Sequence, residues 1–198
     1  MNTPFTYTAQ TFDRLLGTEG FSDQLLKNHF TLYEGYVKNT NTLNEKLFQE
    51  KTATGTPEYA ELKRRFGWEW NGMRLHELYF GNMIKGGKAI VDGEVKKIID
   101  YVWGSFDAWK KDFVATGAMR GIGWVILVCD TEKHMVYNTW VNEHDVGHLS
   151  GTTPLLVMDV FEHAFMIDYG LKRADYLEAF MKSVDWSVVD ARLAKGMK

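Results

Sequence analysis

Apolar residues recur every three or four positions through the first eighty residues of this chain, then gather into short unbroken runs beyond residue 120. A helical period giving way to strand-like runs restricts the fold to helices first and a sheet later. Ser22 and Asp23 cap a predicted helix whose face carries Leu25, His29, Leu32, Tyr36, Leu43 and Leu47, since steps of three, four and seven stay on one side of a helix. Thr56-Pro57-Glu58 is a second start signal: a capping hydroxyl, a proline at the first helical position and an acid near the positive dipole end. That helix passes through Leu62, Phe66, Trp70, Met73, His76 and Phe80, and Lys85-Gly86-Gly87-Lys88 breaks it. The polar stretch Lys51-Thr52-Ala53-Thr54-Gly55 joins the two into an antiparallel hairpin.

Two short amphipathic helices are predicted from Gly93 to Trp103 and from Ser105 to Thr116. Three strand-like runs follow, Trp124 to Cys129, His134 to Val141 and Leu155 to Val160, with Asp130-Thr131-Glu132-Lys133 as the turn between the first two. Lys172 to Lys182 and Trp186 to Ala194 return to helix. The predicted class is α + (α+β): an N-terminal antiparallel α-helical hairpin, residues 1–88, followed by an α/β domain, residues 89–198, with a small three-stranded antiparallel sheet.

Composition narrows the function classes. A net charge of -3 advertises no nucleic-acid partner. The single cysteine, Cys129, excludes a disulfide framework and a cysteine-built metal cage, and its apolar surroundings, Trp124 to Val128, predict burial. Apolar runs reach about six residues, where a membrane helix needs roughly 20. Met1-Asn2-Thr3-Pro4-Phe5-Thr6 has neither a basic start nor an apolar stretch, so no export signal and a cytoplasmic location are expected. Aromatic residues make up 14% of the chain, seven of them Trp, enough for a stiff and water-poor interior.

The sharpest chemical signal is Asp159-Val160-Phe161-Glu162-His163, at the end of an apolar run. If the segment coils there into a helical turn, a carboxylate and an imidazole four residues apart meet and form half a metal site. Otherwise Asp159 caps a turn and His163 is a core residue. His29 and His76 lie on the apolar faces of the two long helices, where a histidine is ordinarily structural. Taken together, the three imidazoles and one carboxylate make an N3O set with one negative charge, suited to an iron or manganese ion with a position left for solvent.

These residues resemble the iron/manganese superoxide dismutase family along nearly the whole chain. Asp159-Val160-Phe161-Glu162-His163-Ala164 is similar to the family's Asp-x-Trp-Glu-His-Ala signature. Gly121-Ile122-Gly123-Trp124 resembles its Gly-Ser-Gly-Trp strand entry, and Gly151-Thr152-Thr153-Pro154-Leu155 its approach to the aspartate. Tyr36-Val37-Lys38-Asn39 with Asn41, His76-Glu77-Leu78-Tyr79-Phe80, and Arg173 to Phe180 with Val184-Asp185-Trp186 resemble its long helices and C-terminal helices. The resemblance implies His29, His76, Asp159 and His163 as ligands of one Fe or Mn ion per subunit, Tyr36 as the gateway phenol and Trp124 as a wall of the site. It implies superoxide as the substrate, and a homodimer or tetramer with Glu162 and His163 at the interface.

Three departures from the family's pattern stand out. One residue fewer separates His29 from Tyr36, which a deleted helical bulge would reconcile; otherwise the roles of Tyr33 and Tyr36 stay open. The family's outer His-Tyr pair is missing: its Tyr falls on Met166 and its His near Leu32 or Tyr33, and Tyr33 is a candidate substitute. The family's outer Gln is also absent; one of its positions falls on Gly72, the other in Asn142-Glu143-His144-Asp145, where His144 is the expected replacement and would tune the potential through bound solvent. Phe80 and Trp68 or Trp70 are further candidate walls. Lys27, Lys38, Arg74 and Arg173 are candidates for a basic rim, and Val157 and His144 for discrimination between Fe and Mn. Two competing readings are a non-catalytic relative that keeps the fold as an interaction module and an oxygenase built on two His and a carboxylate.

Overall fold

A computed structural model describes residues 6–50 and 52–196. Met1 to Phe5 of the segment read for an export signal, Lys51 of the predicted connector and the last two residues lie outside them. The two long helices form as expected. In α1 (Asp23–Asn44) the Ser22 side chain accepts the Leu25 N–H. In α2 (Pro57–Gly81) the Thr56 hydroxyl accepts the Tyr59 N–H, with Pro57 in the first turn. A π-helical turn, Glu45–Gln49, extends α1 past the point where the α-helix stops.

The buried stripe of α1 is Leu25, Leu26, His29, Tyr33, Val37, Thr40, Leu43 and Asn44. Leu32, expected on that face, is 36% exposed. Steps of four residues carry the stripe through Tyr33 and Val37, and Leu32 falls to its side.

Beyond the hairpin come α3 (Glu94–Trp103), α4 (Phe106–Gly117), β1 (Gly123–Asp130), β2 (Val136–Asn142), β3 (Thr152–Asp159), α5 (Met166–Tyr169), α6 (Arg173–Ser183) and α7 (Trp186–Gly196). The sheet has the order β2-β1-β3 and is antiparallel throughout. Helices α3 and α4 pack on β2, α4 also on β1, and α2 and α7 on β3. The central β1 is therefore covered on both faces and buried from Gly123 to Cys129, which explains its unbroken apolar run. Cys129 is free and buried there.

Two strand boundaries differ from expectation. β2 begins at Val136 because His134 takes a φ of 55°, outside strand geometry. β3 begins at Thr152 and passes through Pro154 because a register shift opposite Leu127 and Val128 absorbs the proline on an edge strand. The short α5 was not legible from periodicity at all. One hydrophobic cluster runs from Phe12 to Leu193 and includes residues of both halves of the chain.

Candidate metal centre

Four side chains from three regions of the chain meet between the hairpin and the sheet. α1 contributes His29 and α2 contributes His76, both buried. The last residue of β3 is Asp159, and His163 sits on a 3-10 turn, Glu162–Ala164. Their candidate ligand atoms all lie within 4.8 Å of one another. Asp159 Oδ2 is 3.2 Å from His29 Nε2, 3.2 Å from His163 Nε2 and 3.6 Å from His76 Nε2.

The expected helical turn between Asp159 and His163 is not how the pair meets. Asp159 Oδ1 accepts the Phe161 N–H at 2.8 Å, a side-chain turn that reverses the chain before the 3-10 turn brings His163 back. The Asp159 carbonyl is held from behind by the Tyr176 hydroxyl, which also meets Tyr79 Oη at 3.2 Å. Burial favours the neutral acid at Asp159, but His163 beside it and the hydrogen bonds of His163 and His29 hold its carboxyl well below the usual carboxylate range. Burial keeps His29 and His76 neutral, below the ordinary imidazole value.

The orientation of His76 tests whether this group suits an ion. His76 Nδ1 donates to the Gly72 carbonyl at 2.5 Å, so the lone pair is on Nε2. That Nε2 is buried without a hydrogen-bond partner and faces Asp159. An orphaned imidazole lone pair beside an ionised carboxylate and two further imidazoles fits a divalent or trivalent cation.

Around this cluster the walls are aromatic. Trp124 is buried in β1, paired with Val141 and Asp159 on either side, and its ring meets His76 edge-on at 5.0 Å. Its backbone needs the preceding Gly123, whose φ is 142° and whose Cβ would overlap the Val141 carbonyl. Phe80 stands edge-on to His29 at 4.8 Å. Trp68 reaches His144 at 4.8 Å, whereas Trp70 packs on Tyr7 and Phe66, away from the cluster.

His144 is turned inward by a tight reversal in which Asn142 and Val146 exchange backbone hydrogen bonds, and it is fully buried. The Trp124 indole N–H donates to His144 Nδ1 at 3.0 Å. Indole is a donor only, so Nδ1 accepts and the neutral ring carries its proton on Nε2. Burial pushes the His144 imidazole down to about 4, so it is neutral near pH 7. His144 Nε2 lies 2.7 Å from Tyr36 Oη and donates to it. The Tyr36 proton is therefore free to point elsewhere. Both ring nitrogens of His144 thus have a protein partner, Trp124 at Nδ1 and Tyr36 at Nε2. The Tyr36 ring stacks on His76 at 5.1 Å. Burial, then the Asp159 charge, raises its phenol above the ordinary value.

Tyr33, the alternative gateway, has different partners. Its hydroxyl donates to Glu77 Oε1 at 3.0 Å and accepts the Gln10 N–H at 3.0 Å, fastening the N-terminal segment. Arg74 is paired with the same Glu77 and lies over Tyr7 and Trp70. Arg173 donates to the Gly121 carbonyl and lies over Trp140 and Phe165. Lys27, Lys38 and Glu162 are exposed, and His148, in the same loop as His144, bonds the His144 carbonyl. Sequence reasoning missed the support given by Tyr176, Phe161 and Gly72, because none of these residue types signals chemistry on its own.

Residues 91–192 match the family described as iron/manganese superoxide dismutases, C-terminal domain. The chain is 37% identical over 187 residues to the iron superoxide dismutase of Aquifex pyrophilus, covering 91% of this chain and 87% of that one. It is 34% identical over 178 residues to a manganese superoxide dismutase of Haloferax volcanii, covering 89% of each. It is 34% identical over 184 residues to the iron superoxide dismutase of Cupriavidus metallidurans, covering 90% and 91%.

Proposed function

This chain belongs to the iron/manganese superoxide dismutase family, and from that premise we infer that His29, His76, Asp159 and His163 hold one Fe or Mn ion per subunit. The reaction takes two superoxide ions and two protons to one molecule of oxygen and one of hydrogen peroxide. The observation that carries the assignment is the orphaned His76 Nε2 facing Asp159 within a four-residue group of 4.8 Å span. When bound, the ion supplies one-electron redox capacity between its +3 and +2 states.

The protein supplies the rest. Ionised Asp159 contributes the single negative charge that sets the potential coarsely. Trp124, Phe80 and Phe161 exclude water, which strengthens every charge interaction inside. Peroxide formation consumes two protons, and Tyr36 Oη holds one at a time. Its raised pKa keeps it protonated at neutral pH, and the His144 Nε2–H fixes which way that proton points. Trp124, by holding the His144 tautomer, orients Tyr36 through one intervening ring.

Dividing the chain into residues 1–88 and 89–198 puts two ligands in each part, so neither part alone holds the ion. A homodimer or tetramer with Glu162 and His163 at the interface completes the reading. It is supported by the exposed Glu162 and by the His163 side chain, 29% exposed where His29, His76 and Asp159 are fully buried. No helix among the described residues is long and apolar enough to cross a membrane. A cytoplasmic location fits a chain with one cysteine.

Elemental analysis of the purified chain, with superoxide-consumption assays on Fe-loaded and Mn-loaded samples, tests the assignment. One ion per chain and activity in at least one form are expected. Asp159→Asn should lose both. Loaded forms that keep the ion yet consume no superoxide would instead identify a non-catalytic relative.

A further inference from the structure

Away from the metal centre, a buried polar cluster stands out that the hydrophobic core does not explain. It sits where the end of α2, the free edge of β3 and α7 meet. Asn82, 0% exposed, is its hub. Its Oδ1 accepts the Val157 N–H at 2.9 Å and Arg192 Nη1 at 3.1 Å. Its Nδ2 donates to the Val157 carbonyl at 3.2 Å and the Tyr79 carbonyl at 2.8 Å. All four hydrogen-bonding positions of the amide are filled.

The pattern has a clear logic. β3 is an edge strand, and the outward N–H and C=O of Val157 have no strand to pair with. The Asn82 amide presents a donor and an acceptor to them, as a paired residue would. Arg192 completes the arrangement by donating to the Leu155 carbonyl at 2.8 Å and the Leu78 carbonyl at 2.9 Å. It is a partly buried cation whose partners here are carbonyl and amide oxygens, placed at the negative end of α2. Gly81 leaves room for it, since a Cβ there would come within 3.2 Å of Arg192 Nη2.

Val157 lies two residues before Asp159, and Asn82 lies six residues after His76. The clamp therefore joins the helix that carries one candidate ligand to the strand that ends in another, and these elements come from opposite halves of the chain. We propose that Asn82, held by Arg192, is a positioning residue that sets the distance between His76 and Asp159 and through it the affinity and potential of the metal centre. The proposal rests on the ligand assignment made above.

Asn82→Asp is the informative variant. It keeps the shape and the acceptor for Val157 N–H and Arg192, but sets an oxygen against the Val157 and Tyr79 carbonyls. Arg192→Lys keeps the charge and loses the fork, and serves as the second variant. Ile99→Val, a core change on α3, supplies a control for lost stability alone. Each is purified with its ion, then compared for ion release into a chelator, midpoint potential and the visible spectrum of the oxidised form. Asn82→Asp should release the ion about tenfold faster, at the low end for residues supporting metal ligands, with a displaced potential and spectrum; Arg192→Lys should shift the same readouts by less. If both clamp variants lose thermal stability like Ile99→Val while release, potential and spectrum match the wild type, the proposal is overturned. If the wild type takes up no ion, the ligand assignment fails and the proposal fails with it.

Discussion

Replacing Gly72 by alanine sets one methyl group against the Tyr36 ring, to which the proposed function assigns the proton path. A Cβ at Gly72 would lie 2.5, 2.7 and 3.0 Å from Tyr36 ring carbons. Carbon pairs settle at about 3.5–4.0 Å, so the ring must retreat by about 1 Å. Tyr36 Oη is 2.7 Å from His144 Nε2, and a retreat of that size takes the pair beyond hydrogen-bond range. Overpacking of this kind costs about 1–3 kcal/mol, and alanine in a helix interior returns about 1 kcal/mol over glycine. Net stability should thus change by no more than about 2 kcal/mol. Activity should fall much further, by about 100-fold if Tyr36 delivers protons as a general acid, with metal content unchanged. Stopped-flow superoxide consumption and denaturant unfolding measure the two effects. A double-mutant cycle sharpens the test: in a Tyr36→Phe background the Gly72→Ala change should cost no additional activity. Full activity in Gly72→Ala, or equal losses with and without the Tyr36 hydroxyl, would refute the reasoning.

Three further outcomes follow from the same geometry. Tyr33→Phe removes the anchor for the Gln10 N–H and should cost about 1 kcal/mol of stability while leaving activity near wild type; a large activity loss at constant metal content would make Tyr33 the gateway. Trp124→Phe removes the donor to His144 Nδ1, which frees the ring to reverse its tautomer and capture the Tyr36 proton. Activity should drop about tenfold or more, with the change visible in the nitrogen chemical shifts of His144. The pH dependence of stability carries the third. His144 titrates at about 4 folded against an ordinary 6.5. Because the folded value is lowered, the unfolded chain takes up the proton first, and stability is lost as pH falls below about 6.5, amounting to about 3 kcal/mol by pH 4. His144→Gln should remove that part of the acid-induced loss, and an unchanged acid profile would count against a buried neutral ring.

The two long helices and the three strand runs were legible because caps and apolar runs are local signals. Ser22, Thr56 and Pro57 mark helix starts whatever the rest of the chain does. The four candidate ligands were legible only together and through the family resemblance: singly, Asp159 could cap a turn, and His29 and His76 on apolar faces read as structural. The supporting residues were not legible. Asn82 carries no signal in the sequence, and only the approach of β3 and Arg192 makes it the filled hub of a clamp. Gly72 reads only as a position where the family's outer Gln is absent, until the Tyr36 ring is seen to occupy the place of its side chain. The β3 boundary was misread for the same reason, since Pro154 looks like a breaker until its position on an edge, beside a register shift, is known.

The spacing of His29 and Tyr36 is read directly against helix geometry. At about 100° per residue, seven residues bring a side chain to within about 20° of its starting direction, whereas eight miss it by about 80°. A helix with the longer spacing needs a bulge to return both groups to one face. α1 is α-helical without interruption from Asp23 to Asn44, and Tyr36 nevertheless reaches His144 at 2.7 Å and stacks on His76. In a regular helix the seven-residue spacing thus suffices to keep Tyr36 on the face that carries His29. Inserting one alanine between Tyr33 and Tyr36 would rotate Tyr36 by about 100° in a regular helix, so the insertion can keep its activity only by rebuilding the bulge. Irregular backbone hydrogen bonding at the insertion, seen by amide exchange together with retained activity, is the expected result. An active insertion variant with a regular helix would break the link between register and gateway.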